Sequence, residues 1–396
     1  MSLTKKQEEC VKVCIERYKE GERFSVIAGY AGTGKSFVVR HIVEALSVNY
    51  GINPDVDVCY CAFTGKACDV LKRKGNSNVK TLHKLLYNCI RDKNGKWKRM
   101  AKKKIEYKVL VVDEVSMVPK YMVELLASFN VYIIFLGDPF QLPPIKKDND
   151  NLLLYNPHVF LNEIVRQAKD SEIIRLTMDI RDGKPIENYK GEDVIIGGQE
   201  LFVSGTLKWA DQIITATNKT RGLINRTMRE YNNFDPTKPE EGDKIICTTN
   251  YWDEFSNFEN PLINGTIGTL KNIINNYLQL PTWASVGKLP TMLCSVELED
   301  GEQFSSISID KNFLHNEKKL LNFKDEYRLA KSKKYKNALP LNFNYGYAIT
   351  CHKAQGSQWD NVLVYEENFP FEKEEHARWL YTAATRSAKK LVLIKK

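Results

Sequence analysis

The chain has 396 residues, a length that corresponds to two to four domains of about 150 residues each. Apolar residues make up 43% and charged residues 27% of it, which excludes collagen-like, disordered and disulfide-scaffold classes for the whole chain. Its apolar runs are too short to cross a bilayer, and the N-terminus lacks the apolar core of a signal peptide. Nine cysteines without CxxC spacing are typical of reduced thiols, so we expect an intracellular, cytoplasmic protein that contacts no membrane.

The net charge of +9 is distributed unevenly along the chain. Residues 84–108 hold ten Lys/Arg against two acidic residues, and residues 317–336 hold eight against three. The remainder of the chain is mildly acidic. Two basic segments on an otherwise acidic chain indicate a polyanion as partner, with a solvated lysine-rich face as the alternative interpretation.

Short β-rich runs alternate with helical patterns over the first 165 residues. Residues 24–28 predict a strand, and apolar residues at helical spacing over 37–46 predict the helix that follows it. Further strands are predicted at 56–63, 108–112 and 131–136. This rhythm predicts an α/β fold in which helices cover a parallel sheet.

Two segments depart from this rhythm. Residues 87–99 form two short arms around Asn94-Gly95, a dipeptide that tolerates the positive φ angles of a tight hairpin turn. Most of the basic charge lies on this predicted hairpin. After a turn-rich stretch at 232–243 the pattern becomes all-β over 263–309, which suggests a small inserted barrel that closes near 331–336.

Residues 29–36, with the sequence GYAGTGKS, fit the phosphate-binding pattern GxxxxGK[ST]. The loop lies between a predicted strand and a predicted helix, where backbone N–H groups can face a phosphate. This context disfavours the alternative of an ordinary Gly-rich turn. Lys35 would add positive charge at the β- and γ-phosphates, and the Ser36 hydroxyl could ligate Mg²⁺. The predicted nucleotide-binding residues of the loop are Gly29, Ala31, Gly32, Thr33, Gly34, Lys35 and Ser36.

The predicted strand at 108–112 leads directly into two carboxylates. Asp113 at the end of a buried strand would lie near the Mg²⁺, and Glu114 could orient or deprotonate the attacking water. Paired acids at a strand end can instead cap a helix, an alternative that the upstream phosphate loop disfavours. Gln141, in the loop after the next strand, could sense the γ-phosphate, although its spacing alone marks only a loop residue. Together these motifs predict NTP hydrolysis.

The full set of motifs resembles superfamily 1B DNA helicases of the RecD/Dda type, and the short length and compact inserts are most similar to the phage members. The resemblance covers nearly the whole chain and preserves the order of nine motifs. These motifs are Gln7 and residues 29–36, 62–67, 81–83, 113–117, 137–144, 161–167, 349–356 and 381–386.

The resemblance implies two RecA-like motor domains with ATP and Mg²⁺ bound between them. It places motor domain 1A at 1–85 and 105–152, a basic β-hairpin pin (1B) at 86–104, motor domain 2A at 153–262 and 335–396, and an inserted SH3-like β domain (2B) at 263–334. By resemblance, Gln7 would recognise adenine and Gly356 would lie against the nucleotide. Arg166 and Arg386 would reach the γ-phosphate, although without the family each arginine is better explained as a surface salt-bridge partner.

Six residues fall in motifs that line the single-strand channel of similar helicases, where hydroxyls and amines contact phosphates without reading sequence. His83 and His352 have the alternative of being structural histidines. Trp97 of the predicted pin could stack on bases at the fork or pack within the hairpin. The six channel residues are Thr64, Lys66, His83, Thr350, His352 and Lys353.

These features predict an ATP-dependent DNA helicase, by resemblance one that moves 5′→3′ on single-stranded DNA. Its expected partners are single-stranded DNA, the DNA fork, and single-strand-binding, replication or recombination proteins. We expect it to act as a monomer, in the host cytoplasm if it is phage-encoded. Two alternatives are a translocase that separates no strands and a DNA-binding or recombination accessory protein that uses ATP as a switch.

Overall fold

The computed structural model describes residues 2–91, 97–144, 152–165, 170–249, 262, 264–298, 301–332, 334–335, 338–370 and 372–395, with the backbone alone at 89–91 and 97–99. The chain forms two compact units. The first comprises residues 1–88, 99–216 and 350–396, and the second comprises residues 89–98 and 217–349. This division is coarser than the four predicted domains, whose limits stay predictions. Within the described ranges, no helix is both long and apolar enough to span a bilayer.

The first unit contains a six-stranded sheet whose recorded pairings are all parallel. Its strands are β1 (Phe24–Gly29), β2 (Val58–Ala62), β3 (Val79–Thr81), β6 (Val109–Val112), β7 (Tyr132–Gly137) and β8 (Val159–Leu161). They lie in the order β3-β2-β6-β7-β1-β8. The predicted α/β class and its parallel sheet are therefore confirmed, and the four predicted strands in this part of the chain are present.

Helices cover both faces of this sheet because its central strands are apolar on both sides. Along β6, Leu110 and Val112 pack into one hydrophobic cluster, whereas Val109 and Val111 pack into the cluster on the opposite face. This alternation follows from the period of two along a strand. The helices of this part are α1 (Lys5–Lys19), α2 (Lys35–Tyr50), α3 (Gly65–Arg73), α4 (Leu82–Leu86) and α5 (Lys120–Ala127).

The predicted basic hairpin is present as a separate two-stranded sheet formed by β4 (Tyr87–Arg91) and β5 (Trp97–Ala101). Its predicted turn at Asn94-Gly95 lies outside the described residues. The side chain of Trp97 also lies outside them, so its predicted stacking role stays a prediction.

A second sheet follows in the first unit, and the strands that lie wholly within that unit run in the order β11-β18-β19-β10-β9. They are β9 (Tyr189–Lys190), β10 (Val194–Gly197), β11 (Gln212–Thr215), β18 (Trp359–Tyr365) and β19 (Ser387–Ile394). All pair in parallel except β9 with β10. The accompanying helices are α6 (Glu172–Arg181), α7 (Ser204–Trp209), α11 (Cys351–Ala354) and α12 (Lys373–Ala384).

The second unit contains a five-stranded antiparallel sheet in the order β15-β14-β13-β12-β16. Its strands are β12 (Lys244–Cys247), β13 (Ile267–Gln279), β14 (Lys288–Leu298), β15 (Gln303–Asp310) and β16 (Phe343–Tyr345). Its helices are α8 (Asn218–Tyr231), α9 (Lys311–Asn316) and α10 (Phe323–Lys331), and β17 (Ala348–Thr350) follows β16. The β-rich pattern predicted after residue 263 is thus present as β13–β15, while its closure into an SH3-like barrel stays a prediction.

The imidazole of His376 in α12 makes a hydrogen bond to Glu366 that we expect to depend on pH. His376 Nε2 lies 2.9 Å from Glu366 Oε1, and this hydrogen bond raises the pKa of His376 above its ordinary value of 6.5. Stability from a raised histidine pKa is fully present below pH 6.5 and is lost as the pH rises through the folded-state pKa. We expect His376→Gln to lower the free energy of unfolding by about 1 kcal/mol at pH 5.5. At pH 9 the deficit should shrink.

Urea denaturation of the wild-type protein and of His376→Gln at pH 5.5 and pH 9 measures the difference in their free energies of unfolding. The replacement of an exposed glutamate on the same helix, Glu374→Gln, is the matched control and should show the same small change at both pH values. An equal deficit for His376→Gln at the two pH values would contradict the role of the histidine charge.

Candidate ATP-binding site

The phosphate loop joins the end of β1 to the start of α2, as the sequence predicts. Gly34 precedes α2 with φ of 77°, a left-handed conformation that glycine adopts without a steric penalty. A Cβ atom at Gly34 would lie 2.7 Å from Gln7 Nε2, so the loop also needs glycine there for the close approach of α1. The Thr33 hydroxyl donates to the Tyr30 carbonyl at 2.8 Å and closes the loop on itself.

The cation and the hydroxyl expected to serve the nucleotide both lie at this loop. Lys35 Nζ donates to the carbonyl oxygens of Gly29 at 2.6 Å and Tyr30 at 3.0 Å. The Ser36 hydroxyl accepts a hydrogen bond from Lys74 Nζ at 3.1 Å. The first turn of α2 therefore presents an ammonium group and a hydroxyl beside the loop backbone, which are the groups that a triphosphate and its metal ion require.

Gln7 connects the first helix to the phosphate loop. Its Oε1 accepts from the Thr4 backbone N–H at 3.0 Å, and Thr4 Oγ1 accepts from the Gln7 N–H, which completes a capping box at the start of α1. The Gln7 Nε2 group donates to the Thr33 carbonyl at 3.1 Å, and the side chain is buried. Gln7 thus lies against the nucleotide loop, while its recognition of adenine stays a prediction.

The two predicted acids follow β6 and are held in different ways. Asp113 Oδ1 accepts from the Glu114 backbone N–H at 2.8 Å. Glu114 has φ of 52°, which is unusual for a residue with a side chain and is typical of functional sites. Burial raises the pKa of the Glu114 carboxyl above its usual range, and Asp113 and Asp138 add to the rise, whereas Arg386 and Lys35 oppose it. A carboxylate with a raised pKa beside a phosphate loop is suited to accept a proton.

Arg386 is the predicted arginine that the structure brings to these acids. Its Nη1 lies 3.8 Å from Glu114 Oε1, and the side chain is buried. Arg386 Nε donates to the Thr382 carbonyl at 3.1 Å, and Nη2 donates to Thr385 Oγ1 at 3.0 Å. These bonds orient the guanidinium of Arg386, a residue that follows the end of α12. Arg166, the second predicted arginine, lies outside the described residues.

Two side chains that were not singled out in the sequence join the two sheets at the phosphate loop. The Tyr381 hydroxyl accepts from the Ala31 backbone N–H at 2.9 Å and donates to Asp138 Oδ2 at 2.6 Å. Both Tyr381 and Asp138 are buried. Each lies within a motif of the resemblance, at 381–386 and 137–144, which is the only signal that could have identified them.

The loop after β7 makes further bonds to α12 and to the residue after α11. The Leu142 N–H donates to Thr382 Oγ1 at 3.0 Å, and the Leu142 carbonyl accepts from Gln355 Nε2 at 2.8 Å. Gln141 is buried one residue earlier in the same loop, and its backbone N–H donates to the Asp138 carbonyl at 3.3 Å. The predicted γ-phosphate sensor therefore lies in a loop whose backbone is attached directly to α12.

Gly356 lies against α3 in this structure. A Cβ atom at this position would lie 2.7 Å from Thr64 Oγ1 and 3.0 Å from the Ala67 Cβ, and φ is 74°. Glycine is therefore required there by both the backbone conformation and the close approach. The predicted contact of Gly356 with the nucleotide stays a prediction.

Three of the predicted DNA-contacting residues follow the carboxyl ends of β2 and β3, the edge where parallel sheets bind their ligands. Thr64 caps α3, its Oγ1 accepting from the Ala67 N–H at 3.2 Å. Lys66 Nζ lies 4.9 Å from the centre of the Trp359 ring. The ring of His83 lies 5.5 Å from that of Phe63.

The other three predicted DNA-contacting residues surround the short helix α11. Thr350 is its N-terminal capping residue, and His352 and Lys353 are within it. Burial lowers the pKa of His352, which keeps its ring uncharged at neutral pH. A neutral imidazole can hydrogen-bond a phosphate but adds no positive charge.

The residues expected to hold Mg²⁺ form a small oxygen donor set. Ser36 provides a hydroxyl and Asp113 a carboxylate, the hard ligands that Mg²⁺ prefers. Among the described residues, no group of three or more His, Cys, Asp and Glu side chains could hold a metal ion. A two-residue set fits a metal ion that completes its coordination with phosphate oxygens and water, as Mg²⁺ does in nucleotide sites.

Comparisons with known proteins concern the chain as a whole rather than single site residues. The protein-family model for an AAA domain matches residues 2–200, and the model for a UvrD-like helicase C-terminal domain matches residues 345–394. The chain is 25% identical over 397 residues to the ATP-dependent RecD2 DNA helicase of Deinococcus radiodurans, covering 93% of this chain and 46% of that protein. It is 26% identical over 256 residues to the ATP-dependent DNA helicase dda of Enterobacteria phage T4, covering 58% and 57% of the two chains.

Solved structures of similar fold include Pif1 helicases. A Bacteroides Pif1 structure in complex with ADP-AlF3 and single-stranded DNA has a TM-score of 0.55 at 17% identity, covering 99% of this chain and 92% of that one. A structure of Pif1 helicases on forked double-stranded DNA also has a TM-score of 0.55, at 18% identity, covering 100% and 92%. The chain belongs to the AAA-domain family, whose model matches residues 2–200, and its sequence is similar to DNA helicases of the RecD/Dda type. It spans about half the length of the RecD2 and Dda relatives.

Removing the Tyr381 hydroxyl tests the connection between the two sheets. We expect Tyr381→Phe to lower the free energy of unfolding by about 1–3 kcal/mol, because the buried Asp138 carboxylate and the Ala31 N–H each lose a partner. Tyr121→Phe is the matched control, since the Tyr121 ring is half exposed and the loss of its hydroxyl should change the free energy of unfolding by less than about 0.5 kcal/mol. Denaturant unfolding measures both variants, and equal losses would contradict the connection.

Proposed function

We propose that this protein is an ATP-dependent DNA helicase that moves along single-stranded DNA in the 5′→3′ direction and separates duplex DNA. The observation that carries the proposal is the placement of the Arg386 guanidinium 3.8 Å from the Glu114 carboxylate, in the unit that holds the phosphate loop. A carboxylate that can take a proton from water and an arginine that can stabilise the transferring phosphoryl group are two of the groups that NTP hydrolysis uses.

In the proposed reaction, Lys35 and the loop N–H groups bind the phosphates of ATP. Mg²⁺, held by Ser36 and Asp113, would neutralise charge on the phosphates. Glu114 accepts the proton of the attacking water, and its raised pKa favours that transfer at neutral pH. Arg386 stabilises the negative charge that develops on the γ-phosphoryl oxygens.

Coupling to movement rests on the hydrogen bonds that join loops of the first sheet to the helices that accompany the second sheet in the first unit. The backbone of Ala31 and Leu142 on one side bonds to Tyr381, Thr382 and Gln355 on the other. A change of phosphate state at the loop would alter these bonds and shift the second sheet relative to the first. We infer that DNA held alternately by the two sheets is moved in this way.

We propose that DNA is contacted through the hydroxyls, amines and rings of the six predicted residues. Thr64, Lys66 and His83 would hold the strand from the first sheet, and Thr350, His352 and Lys353 from the region of α11. Arg166 is proposed as a second γ-phosphate contact and Trp97 as a stacking residue at the fork. Single-stranded and forked DNA are the proposed substrates of a monomeric protein, with single-strand-binding, replication, recombination or repair proteins as further partners in the cytoplasm.

The test compares duplexes that carry a 5′ or a 3′ single-stranded tail, with and without ATP and Mg²⁺. We expect strand separation of the 5′-tailed duplex alone, and only with ATP. The Lys35→Ala protein, which lacks the phosphate-binding ammonium, is the matched control and should separate neither. DNA-stimulated hydrolysis without strand separation would instead favour a translocase. ATP binding without DNA-stimulated hydrolysis would favour an ATP-switched accessory protein.

A further inference from the structure

One side of helix α10 in the second unit packs against the end of the β13–β14 hairpin. Leu329 of α10 packs with Leu280, Leu289 and Leu321 in a small buried cluster. The Asp325 carboxylate, also buried, accepts from the Ser285 backbone N–H at 2.7 Å. These contacts determine which side of α10 is turned away from the sheet.

The opposite side of α10 carries two aromatic rings and a lysine at intervals of four residues. Phe323 is 83% exposed and Tyr327 is 40% exposed. Their rings are nearly parallel, with 19° between their planes and 6.4 Å between their centres. Lys331 Nζ lies 4.2 Å from the centre of the Tyr327 ring. Residues spaced by four lie above one another on a helix, so these three side chains form one row.

A second aromatic residue with a cation lies beside this row. Trp283, in the connection between β13 and β14, is 40% exposed. The Arg328 guanidinium carbon lies 4.1 Å from the centre of its ring. We name the surface formed by Trp283, Phe323, Tyr327, Arg328 and Lys331 the aromatic–basic face.

The charge of this segment is strongly positive, since residues 317–336 hold eight Lys/Arg and three acidic residues. Of the two acids in α10, Asp325 is buried against Ser285, and Glu326 is paired with Lys319 at 2.7 Å. Arg328 and Lys331 therefore contribute positive charge to the aromatic–basic face. Exposed rings held in one row are a feature of binding surfaces, because water solvates them poorly.

We propose that the aromatic–basic face binds single-stranded DNA, with bases stacked on the rings of Phe323 and Trp283 and phosphates paired with Lys331 and Arg328. The inference rests on the proposed function, since it assumes that the protein acts on DNA. Bases in a duplex are covered by their neighbours, whereas an unpaired base can stack on an exposed ring. Aromatic rings alternating with cations match the alternating bases and phosphates of a single strand, and they bind it without reading its sequence.

The first test is photo-cross-linking of the full chain to an oligo-dT strand that contains 5-iododeoxyuridine, followed by mass spectrometry of the cross-linked peptides. We expect cross-links to peptides that contain Trp283, Phe323 or Tyr327. Binding of fluorescein-labelled oligo-dT, followed by fluorescence anisotropy, should weaken about fivefold or more in Phe323→Ala. Tyr121→Ala is the matched control, because this ring is also exposed but belongs to α5.

The outcomes separate this inference from the proposed function. Cross-links to peptides around Thr64 or His83 with none at the aromatic–basic face would overturn the inference and leave the helicase proposal intact. Absence of both DNA-stimulated ATP hydrolysis and any cross-link would overturn both. DNA-independent ATP hydrolysis should be unchanged in Phe323→Ala. If a polyglutamate peptide bound the wild-type face more tightly than oligo-dT, the face would be a site for an acidic protein segment, and the inference would be wrong.

Discussion

Glu114→Gln is expected to slow ATP hydrolysis by about 10²–10⁴-fold while ATP binding stays close to that of the wild-type protein. The amide has the size of the carboxylate but cannot accept the proton of the attacking water. Glutamine tolerates the backbone φ of 52° as well as glutamate does, so the substitution adds no strain. The Arg386 guanidinium loses the carboxylate 3.8 Å away but keeps its bonds to Thr382 and Thr385.

Single-turnover hydrolysis of ATP and the dissociation constant of a fluorescent ATP analogue separate chemistry from binding. Glu124→Gln is the matched control, because this exposed glutamate on α5 lies 4.0 Å from Lys120 Nζ and should not affect hydrolysis. If Glu114→Gln lowered the single-turnover rate of ATP hydrolysis by less than tenfold, with ATP binding intact, Glu114 would not be the proton acceptor.

Arg386→Lys is expected to lower kcat by about 10³-fold or more, with a small change in KM for ATP. Lysine keeps the positive charge, but its single ammonium group cannot reproduce the planar guanidinium or its bonds to Thr382 and Thr385. The charge would remain near Glu114 without the fixed direction toward a γ-phosphate. The effect should therefore be on the rate of the chemical step rather than on nucleotide binding.

Arg378→Lys is the matched control for Arg386→Lys. Arg378 lies within α12, eight residues before Arg386, and donates to the Pro139 carbonyl at 3.1 Å, but it does not contact Glu114. We expect its replacement to change kcat by less than about tenfold. Unfolding curves for both variants identify any loss of folded protein. If the two substitutions lowered kcat equally, Arg386 would have a structural role at the end of α12 rather than a role in the chemical step.

The parts of the site that could be predicted from the sequence are those made within one short segment. The phosphate loop is a strand, a turn and a helix within 29–36, so its glycines, lysine and serine identify it without knowledge of distant residues. Asp113 and Glu114 follow a strand whose apolar residues mark it as buried on both faces. The parallel sheet could be predicted for the same reason, because alternating apolar runs and helical periods are local patterns.

The contacts that join these segments were decided by the tertiary structure. Tyr381 bonds to Ala31, 350 positions away, and Gly356 packs against Thr64. No local spacing encodes such pairs, because they depend on how two sheets pack. The aromatic–basic face has the same origin. The basic residues at 317–336 are evident from the sequence. The exposed aromatic rings of α10 form one surface only because Asp325 and Leu329, on the other side of that helix, are buried. Local sequence thus specifies the chemistry available at each strand end, and the packing of remote segments brings the groups of the site together.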